Sequence, residues 1–373
     1  MEVATKHIQL EVFMANKQLS GLRQCVSGIE GSSVWIGVDV HAKKYHAAVI
    51  SKTGACATWS CTANPIGFAK QIKALDLKIE QVAYEAGPTG FVLARSLKLA
   101  GLPVLVAAPS RIPRPVTAGA KTDRLDCLKL AEMAMRGSLR PIAIPSEIEE
   151  AKRSLSRRRE QLTDQIRRVK QRIKSLLLEF GVQEPKGLRY WSRCSIIALA
   201  ELQMPPGADK TLDSLLRELD YFENEKVNVK NDLDLLLNNE KSRVALDFLC
   251  TTPGVGPPTA QTFLLELFRP ERFNNSAEVT SYLGLSPTTR HSGQGKARAY
   301  LKPTGKKRLR SLLIEAAWIW KRRDEYADQQ YRRLLSRQGV AQKAITALAR
   351  KLAVILWRIC LEQRPYQPGP ING

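Results

Sequence analysis

The chain has 373 residues, 44% of them hydrophobic, so it can bury a large core and is expected to divide into two or three domains. Its 58 lysines and arginines against 36 acidic residues give a net charge of +22, which indicates a polyanionic partner, with nucleic acid as the first candidate and an anionic membrane surface as the second. The sequence has no run of about 18 apolar residues and no signal-peptide core, which argues against a membrane protein and predicts a cytoplasmic one.

The cysteines and histidines do not form a metal-binding pattern. Seven cysteines occur without a C-x-x-C pair, and the four histidines do not combine with them at the spacing of a zinc site. The cysteines are therefore predicted to be reduced and mostly packed. Any bound metal ion has to be held by carboxylates.

Residues 1–33 are weakly patterned and are interpreted as an N-terminal extension. The run Val34–Val40 that follows is short and apolar, which predicts a strand covered on both faces. Asp39 lies near its end, and an ionised carboxylate there is costly unless it is paired. A metal ion would supply the pairing. The alternative is that Asp39 caps the strand end or the next turn.

Residues 34–145 predict three strands, then a helix, a strand, a helix, a strand and a helix. The predicted strands are 34–40, 45–50, 56–61, 81–85 and 103–108, and the predicted helices are 66–75, 89–100 and 122–136. This order, with an aspartate in the first strand, is the layout of an α/β fold, the ribonuclease-H-like nuclease fold, and is closest to its RuvC-like branch.

Three further acids lie where that fold would turn them toward one cleft with Asp39. Glu85 ends the fourth strand, and Asp123 and Asp126 are three residues apart on a helix, so they share a face. The four carboxylates are predicted to converge on one or two divalent ions. Alternatively, Glu85 is a turn residue, and Asp123 and Asp126 are first-turn acids favoured by the helix dipole.

Residues 146–245 carry apolar residues at heptad spacing. Leu162, Ile166, Val169, Ile173, Leu176 and Phe180 form one series, and Leu212, Leu215, Leu219, Phe222, Val229, Leu233 and Leu236 form the other. They predict an α-helical coiled-coil region, either an antiparallel hairpin or a contact with a second subunit. The run 157–159 is all arginine and is predicted to lie on the outer face, as solvated charge or along a phosphate backbone.

Residues 246–362 are predicted to form a mainly α-helical C-terminal domain. Gly254 and Gly256 lie in a turn that resembles a helix-hairpin-helix, in which glycines let the backbone approach a phosphate. The alternative is a tight turn only. Residues 286–361 hold 18 lysines and arginines against 4 acids, so the electrostatic footprint of the partner is concentrated here. The predicted nucleic-acid contacts, besides the two glycines, are Arg290, Lys296, Arg298, Lys302, Lys306, Lys307 and Arg308. Residues 363–373 are rich in proline and glycine and predict a mobile tail.

Ser292 lies in a glycine-punctuated loop among cations. The loop is either a flexible basic connection or a device that presents a serine for attack on phosphorus, with Arg290, Lys296 or Arg298 neutralising the developing charge. His291 is poorly placed to reach the hydroxyl of its neighbour, and the residues show no Ser-His-Asp spacing. Chemistry alone does not decide between these alternatives.

Motifs in a fixed order now resemble the DEDD transposases of insertion sequences, more narrowly the insertion-sequence one-ten group, whose members are guided by a structured bridge RNA. The motifs are Ile36-Gly37-Val38-Asp39, Glu85-Ala86, Thr122-Asp123-Arg124-Leu125-Asp126, Pro253-Gly254-Val255-Gly256, Leu283-Gly284-Leu285-Ser286-Pro287 and His291-Ser292-Gly293. The resemblance spans residues 34–360. It implies a RuvC-like DEDD domain at 34–145, a coiled-coil region at 146–245 and a transposase domain with a catalytic serine loop at 246–362.

The resemblance also implies function. Asp39, Glu85, Asp123 and Asp126 match the acids that bind Mg²⁺, for which Mn²⁺ can substitute, and Ser292 matches the nucleophile that forms a phosphoserine link with DNA. With such a metal ion, a histidine base is not required. The expected partners are donor and target DNA, a structured guide RNA and further copies of the chain, as a dimer or tetramer through the helical region, in the bacterial cytosol or nucleoid.

Two other functions remain open at the level of sequence. One is a metal-dependent nuclease or junction resolvase in which water attacks and Ser292 is idle. The other is a catalytically inactive protein that binds RNA or DNA through its basic C-terminal face. In the recombinase, the acids and Ser292 are expected to be brought together across domains or subunits.

Overall fold

The computed structural model describes residues 23–24, 26–28, 31–54, 56–112, 123–290, 298–301 and 305–369. The chain forms two compact units, residues 1–146 and 147–373. The sequence predicts a further boundary at residue 245, but the structure has one unit on both sides of that position. Leu233 and Leu237 pack with Leu265 there, so helices from both predicted regions share apolar contacts.

The first unit is built on a mixed five-stranded sheet in the order β3-β2-β1-β4-β5. Its strands are β1 Ser33–Val40, β2 Lys44–Ser51, β3 Cys56–Thr62, β4 Lys78–Glu85 and β5 Val104–Ala107. The β1–β2 and β2–β3 pairs are antiparallel, whereas β1–β4 and β4–β5 are parallel. This sheet is consistent with the ribonuclease-H-like fold, and the predicted order of strands and helices is confirmed.

Helices cover both faces of this sheet. They are α1 Pro65–Lys73, α2 Val92–Leu99 and α3 Asp123–Met135. Val34, Ile36 and Val38 of β1 are fully buried in a core that includes residues of α1 and α2. Since successive strand residues point to opposite faces, Gly37 and Asp39 lie on the other face, with α3. The predicted strand covered on both faces is confirmed.

The described residues of the second unit form helices and one small hairpin. Its helices are α4 Glu147–Glu179, α5 Arg193–Ala200, α6 Ala208–Leu237, α7 Glu240–Cys250, α8 Pro257–Leu267, α9 Ser276–Tyr282, α10 Lys307–Arg323, α11 Glu325–Gln338 and α12 Ala341–Glu362, and the hairpin strands are β6 Pro287–Arg290 and β7 Arg298–Leu301. None of the described helices combines the length and the apolar run needed to cross a membrane.

The two longest helices, α4 and α6, pack against each other as an antiparallel pair. Lys170 contacts Glu223 at 2.9 Å and Arg172 contacts Glu218 at 3.2 Å, so later residues of α4 meet earlier residues of α6. Ile173 of the predicted heptad series is fully buried in this contact. The central apolar seam therefore packs within the chain between two antiparallel helices, while the predicted coiled coil and the contact with a second subunit stay predictions.

Arginines 157–159 do not all face outward, and that prediction is wrong for Arg159, which is only 7% exposed. Its guanidinium donates to Gln261, to the Pro258 carbonyl oxygen at 3.2 Å and to Thr262 Oγ1 at 3.1 Å. Consecutive helical residues point about 100° apart, so three arginines in a row cannot share one face. Arg157 also reaches an acid of α8, Glu266.

The C-terminal core surrounds Trp320 of α10, which is fully buried. Residues 363–369, for which the sequence predicts mobility, carry Tyr366 into this core. Its hydroxyl accepts from Trp320 Nε1 at 3.2 Å and donates to Asp324 Oδ2 at 3.0 Å. The Tyr366 backbone N–H donates to Thr251 Oγ1 at 2.8 Å. Tyr366 thus attaches the described part of the tail through three hydrogen bonds.

Candidate active site

Asp39 and Glu85 occupy neighbouring positions at the carboxyl ends of two parallel strands. The last paired residues of β1 and β4 are Val38 and Tyr84, and each acid is the next residue along its strand. Residues paired in register project to the same face, and adjacent strands lie about 4.8 Å apart. The two carboxylates therefore leave the sheet side by side, on the face that α3 covers.

The backbone of α3 lies directly on β1 at Gly37. A Cβ atom at Gly37 would lie 2.0 Å from the Cys127 carbonyl oxygen and 2.5 Å from the Ala131 nitrogen. Only glycine permits this approach, because real Cβ contacts are longer. Gly37 is two residues before Asp39, and Cys127 follows Asp126, so this contact brings the helix acid toward the strand acid.

The electrostatics of Cys127 report the same proximity. Burial raises the pKa of the Cys127 thiol to about 11, and the negative charges of Asp39 and Asp126 act in the same direction. Both carboxylates are therefore near this one thiol. Asp126 is partly buried, and Glu85 is exposed at the strand end. Asp123 opens α3 three residues before Asp126, but its side chain lies outside the described part of the chain.

Two histidines beside Asp39 were not singled out from sequence. His41 Nε2 lies 3.0 Å from Asp39 Oδ2, and His46 is the cross-strand partner of Asp39. The two imidazole rings meet edge to face with their centroids 6.0 Å apart. The signal in the sequence was the short β1–β2 turn, which folds His46 back onto Asp39, rather than any zinc-type spacing.

The described residues do not by themselves complete a metal site. Among them, no group of three or more histidine, cysteine, aspartate or glutamate side chains could hold a metal ion. The donor set still suits Mg²⁺, which protein sites commonly bind through one or two carboxylates together with substrate phosphates. Asp39 and Glu85 are the pair that fits this requirement, and the four-acid site stays a prediction.

Ser292 and Lys296 fall between β6 and β7, in residues 291–297, which lie outside the described residues, as does Lys302. Arg290 and Arg298 are the register pair at the end of the hairpin, and only their backbone is described. A Cβ atom at Gly305, where φ is +82°, would lie 2.5 Å from the Gly284 nitrogen. The two ends of the segment that includes Ser292 are thus in backbone contact.

The predicted nucleic-acid contacts differ in how they are engaged. Lys306 Nζ lies 3.1 Å from Glu266 Oε2, and Arg308 Nε lies 4.0 Å from Glu160 Oε1. Lys307 is exposed. Two of the three consecutive cations are therefore already opposed by acids within the chain. Their contact with nucleic acid stays a prediction, as does that of the residues outside the described part.

Glu266 is the centre of this internal network and was not identified from sequence. It is 7% exposed, and Arg157 donates to both of its carboxylate oxygens, at 2.8 and 3.1 Å. Burial alone would raise its pKa, but the Arg157 hydrogen bonds and the charge of Lys306 outweigh burial, so the pKa of Glu266 lies below its ordinary value. The network joins α4, α8 and the start of α10.

The turn with Gly254 and Gly256 has a packing role. A Cβ at Gly254, where φ is +89°, would lie 2.5 Å from the Ala316 carbonyl oxygen of α10. The first two residues of α8 are Pro257 and Pro258, which have no N–H group to offer a phosphate. Phosphate binding by the two glycines stays a prediction, and the geometry makes Gly254 a contact point between α8 and α10.

Two family models match the chain. One is described as a transposase of the DEDD insertion-sequence 110 type and matches residues 36–181, which include all four acids. The other is the transposase IS116/IS110/IS902 family and matches residues 246–332, which include Ser292. The structure has a mixed-sheet unit that carries the acids, followed by a helical region, and each part matches a transposase family model. The protein is therefore a DNA transposase, an enzyme of DNA recombination.

Curated relatives are similar in sequence to this chain over most of their length. A putative transposase of Sinorhizobium fredii is 31% identical over 301 residues, covering 74% of this chain and 76% of the relative. Another from that organism is 29% identical over 360 residues, covering 88% and 89%. The transposase for insertion sequence element IS1111A of Coxiella burnetii is 26% identical, covering 79% and 81%. The chain belongs to the IS110-type family of DEDD transposases.

Proposed function

We propose that this transposase cuts and rejoins DNA with Ser292 as the nucleophile and with Asp39, Glu85, Asp123 and Asp126 as ligands of Mg²⁺. The observation that carries the metal site is the neighbouring placement of Asp39 and Glu85 at the ends of parallel strands. It is supported by the packing of the helix with Asp123 and Asp126 onto the same face of the sheet.

In the proposed step, Ser292 Oγ loses its proton and forms a bond to the phosphorus of a DNA phosphodiester. The bond from that phosphorus to one deoxyribose oxygen breaks, and the departing oxygen takes up a proton to become a hydroxyl. The strand end stays attached as a phosphoserine, and attack by a hydroxyl of another strand reverses the step. The chemistry that Mg²⁺ supplies when bound is a lower barrier to deprotonating the serine and stabilisation of the departing oxygen.

Residues of the chain have separate tasks in this scheme. Arg290 and Arg298 flank the segment with Ser292, and a guanidinium there would offset the charge that develops on the phosphoryl oxygens. The backbone contact between Gly284 and Gly305 would limit how far the ends of that segment move apart. His41 would orient the Asp39 carboxylate through its hydrogen bond.

The proposal includes a structured guide RNA and more than one copy of the chain. The net charge of +22 supports a second polyanion besides DNA. Adjacent exposed apolar residues near the end of α6 support self-association, because Leu235 is 72% exposed and Leu236 is 44% exposed. Sequencing of RNA that co-purifies with the protein tests the guide. A defined structured RNA supports it, whereas only random cellular RNA counts against it. Light scattering of the purified protein tests for a dimer or tetramer.

Covalent trapping tests the nucleophile. Wild-type protein with its co-purifying RNA, incubated with Mg²⁺ and plasmid DNA that carries the element and its flanks, should give a protein–DNA adduct stable to denaturation. Ser292→Ala should give none, and the matched control Ser281→Ala should keep it, because Ser281 is exposed in the same unit and lies outside the proposed chemistry. Adducts that survive in Ser292→Ala would show that another residue attacks.

Substitution of a ligand tests the metal site. Asp39→Asn keeps the size of the side chain and should abolish strand cleavage while DNA binding persists, whereas the exposed acid Asp76→Asn should cleave normally. Loss of folding in Asp39→Asn would instead assign Asp39 a structural role. Cleavage by the wild type that leaves a free 5′-phosphate and no adduct would indicate attack by water, as in a nuclease or resolvase.

A further inference from the structure

One stretch of the second unit is basic without any acid. Residues 329–361 contain seven lysines and arginines and no aspartate or glutamate. They form most of α11, the turn after it and nearly all of α12. The seven are Arg332, Arg333, Arg337, Lys343, Arg350, Lys351 and Arg358. Residues 333–361 lie beyond the segment matched by the second family model.

Some of these cations already have partners in the fold. Arg332 is paired with Asp328 at 2.6 Å, Arg358 with Glu362 at 3.2 Å, and Arg350 Nε donates to the Leu285 carbonyl oxygen at 2.8 Å. Within the described residues, Arg333, Arg337 and Lys343 contact no acid, and all three are exposed. They differ in this respect from Lys306 and Arg308, whose charges acids of the second unit oppose.

The unpaired cations come from two helices that a short turn folds together. Gly339 has a φ of +66°, the left-handed conformation that lets α11 end and α12 begin two residues later. Ala344, Ile345 and Leu348 bury the inner side of α12 in the C-terminal core. The outer side is left to polar and basic residues.

Arg333 and Lys351 bring the two helices into one charged surface. Lys351 Nζ of α12 donates to Gln330 Oε1 of α11 at 2.8 Å, three residues before Arg333. Burial and the positive charge of nearby Arg333 both lower the pKa of the Lys351 ammonium. Lys343 and Lys351 are eight residues apart on α12, roughly 12 Å along a helix. Arg333, Arg337, Lys343 and Lys351 thus form one surface, called here the basic helix-pair face.

We propose that the basic helix-pair face binds the phosphate backbone of duplex DNA. Arg333, Arg337 and Lys343 present to a polyanion positive charges that no acid among the described residues contacts. Lys343 and Lys351 lie roughly 12 Å apart along the axis of α12, a separation comparable to the width of the major groove of B-DNA, about 12 Å. The major groove of an RNA duplex is narrow and deep, which is why DNA is the assigned partner.

This inference rests on the DNA recombination proposed above and adds the surface that holds the duplex. It assigns Arg333, Arg337 and Lys343 to single phosphates. Each such contact contributes about 0.9 to the slope of log affinity against log salt concentration. The three residues together should therefore account for a slope of roughly 2.7.

The test is fluorescence anisotropy with a labelled 30-base-pair DNA duplex in EDTA, over a range of salt concentrations, with full-length protein. The triple variant Arg333→Gln, Arg337→Gln, Lys343→Gln should lose a slope of roughly 2.7, and Arg337→Gln alone about 0.9. A charge-matched control replaces three exposed lysines of the same unit and should keep the wild-type slope within error. These lysines are Lys186, Lys230 and Lys241.

Equal slopes in the triple variant and its control would overturn the proposal. An RNA duplex of the same sequence that loses affinity as much as the DNA duplex would overturn the assignment to DNA. The single Arg337→Gln variant keeps the test decisive if the triple variant folds poorly. Because EDTA prevents metal-dependent strand chemistry, a loss of adducts in Ser292→Ala or Asp39→Asn bears on the proposed reaction and not on this surface.

Discussion

Gly37→Ala should separate the helix with Asp126 from the strand with Asp39. The added Cβ would lie 2.0 Å from the Cys127 carbonyl oxygen, 2.5 Å from the Ala131 nitrogen and 3.0 Å from Leu130 Cβ. Two of these atoms are backbone, so no side-chain rotation relieves the overlap. Ordinary contact begins near 3.4 Å, and α3 must therefore move away from β1 by roughly 1 Å or more. A gap of 0.5–1 Å forfeits about a quarter to a half of each dispersion contact across it.

We expect a cost of about 3 kcal/mol in the free energy of unfolding of the first unit, at the upper end of the usual range for overpacking. Urea denaturation followed by circular dichroism measures this cost as a lower urea midpoint for the unfolding of the first unit. DNA cleavage should fall further than stability accounts for, because Asp126 moves relative to Asp39 and Glu85. Cleavage rates of Gly37→Ala and wild-type protein, compared at a urea concentration and temperature where both are folded, separate these two effects.

Gly87→Ala is the matched control. Gly87 lies two residues after Glu85, and a Cβ there meets nothing within 4 Å. Its cost should stay within about 0.5 kcal/mol, as for most surface substitutions. If Gly37→Ala is as stable and as active as Gly87→Ala, the close approach of α3 to β1 is not what positions the acids, and the proposed geometry of the site is wrong.

Three other predictions concern single groups. The pKa of Glu266 is lowered in the folded state, so its ionised carboxylate stabilises the fold fully above the ordinary glutamate pKa of about 4.3, and this stabilisation is lost as pH falls through the lower folded pKa. Urea midpoints measured from pH 6 down to pH 3 should therefore fall less steeply with pH in Glu266→Gln than in wild type. Equal dependence of the two midpoints on pH would contradict this. Tyr366→Phe leaves Trp320 Nε1 without its acceptor and should cost about 1–2 kcal/mol in thermal or urea unfolding, whereas no change would mean that the tail adds nothing to the fold. Cys127 is buried and its pKa is raised to about 11, so it should resist alkylation by iodoacetamide at pH 8 while exposed Cys194 reacts. Mass spectrometry measures the labelling of each cysteine. Rapid labelling of Cys127 would show that α3 separates from the sheet.

Local patterns explain why much of the first unit was predictable. Val34 to Val40 alternates between two buried faces, and the turn and helix signals after it are set by neighbouring residues. The strand order then places Asp39 and Glu85 at strand ends. The same kind of pattern led to a wrong expectation for Arg159, because composition shows that a run is basic but not which member points inward.

Contacts between distant residues explain what could not be predicted. Lys306 and Arg308 look like free cations in sequence, yet their acids are Glu266 and Glu160, 40 and 148 residues away. Gly254 looks like a phosphate-binding glycine, but its missing Cβ leaves room for the backbone of α10. The spacing of apolar residues along the sequence predicts neither the distant acids nor the neighbouring helix backbone.

Sequence by itself determined the order of elements, the excess of positive charge and the set of acids, because these depend on side-chain type and local spacing. Only the tertiary structure decided which residues meet. The register that pairs Val38 with Tyr84 sets Asp39 beside Glu85, and the absence of a side chain at Gly37 lets α3 bring Asp126 to the same face. The physical reason is that register and close packing are properties of two segments together, and neither segment alone specifies them.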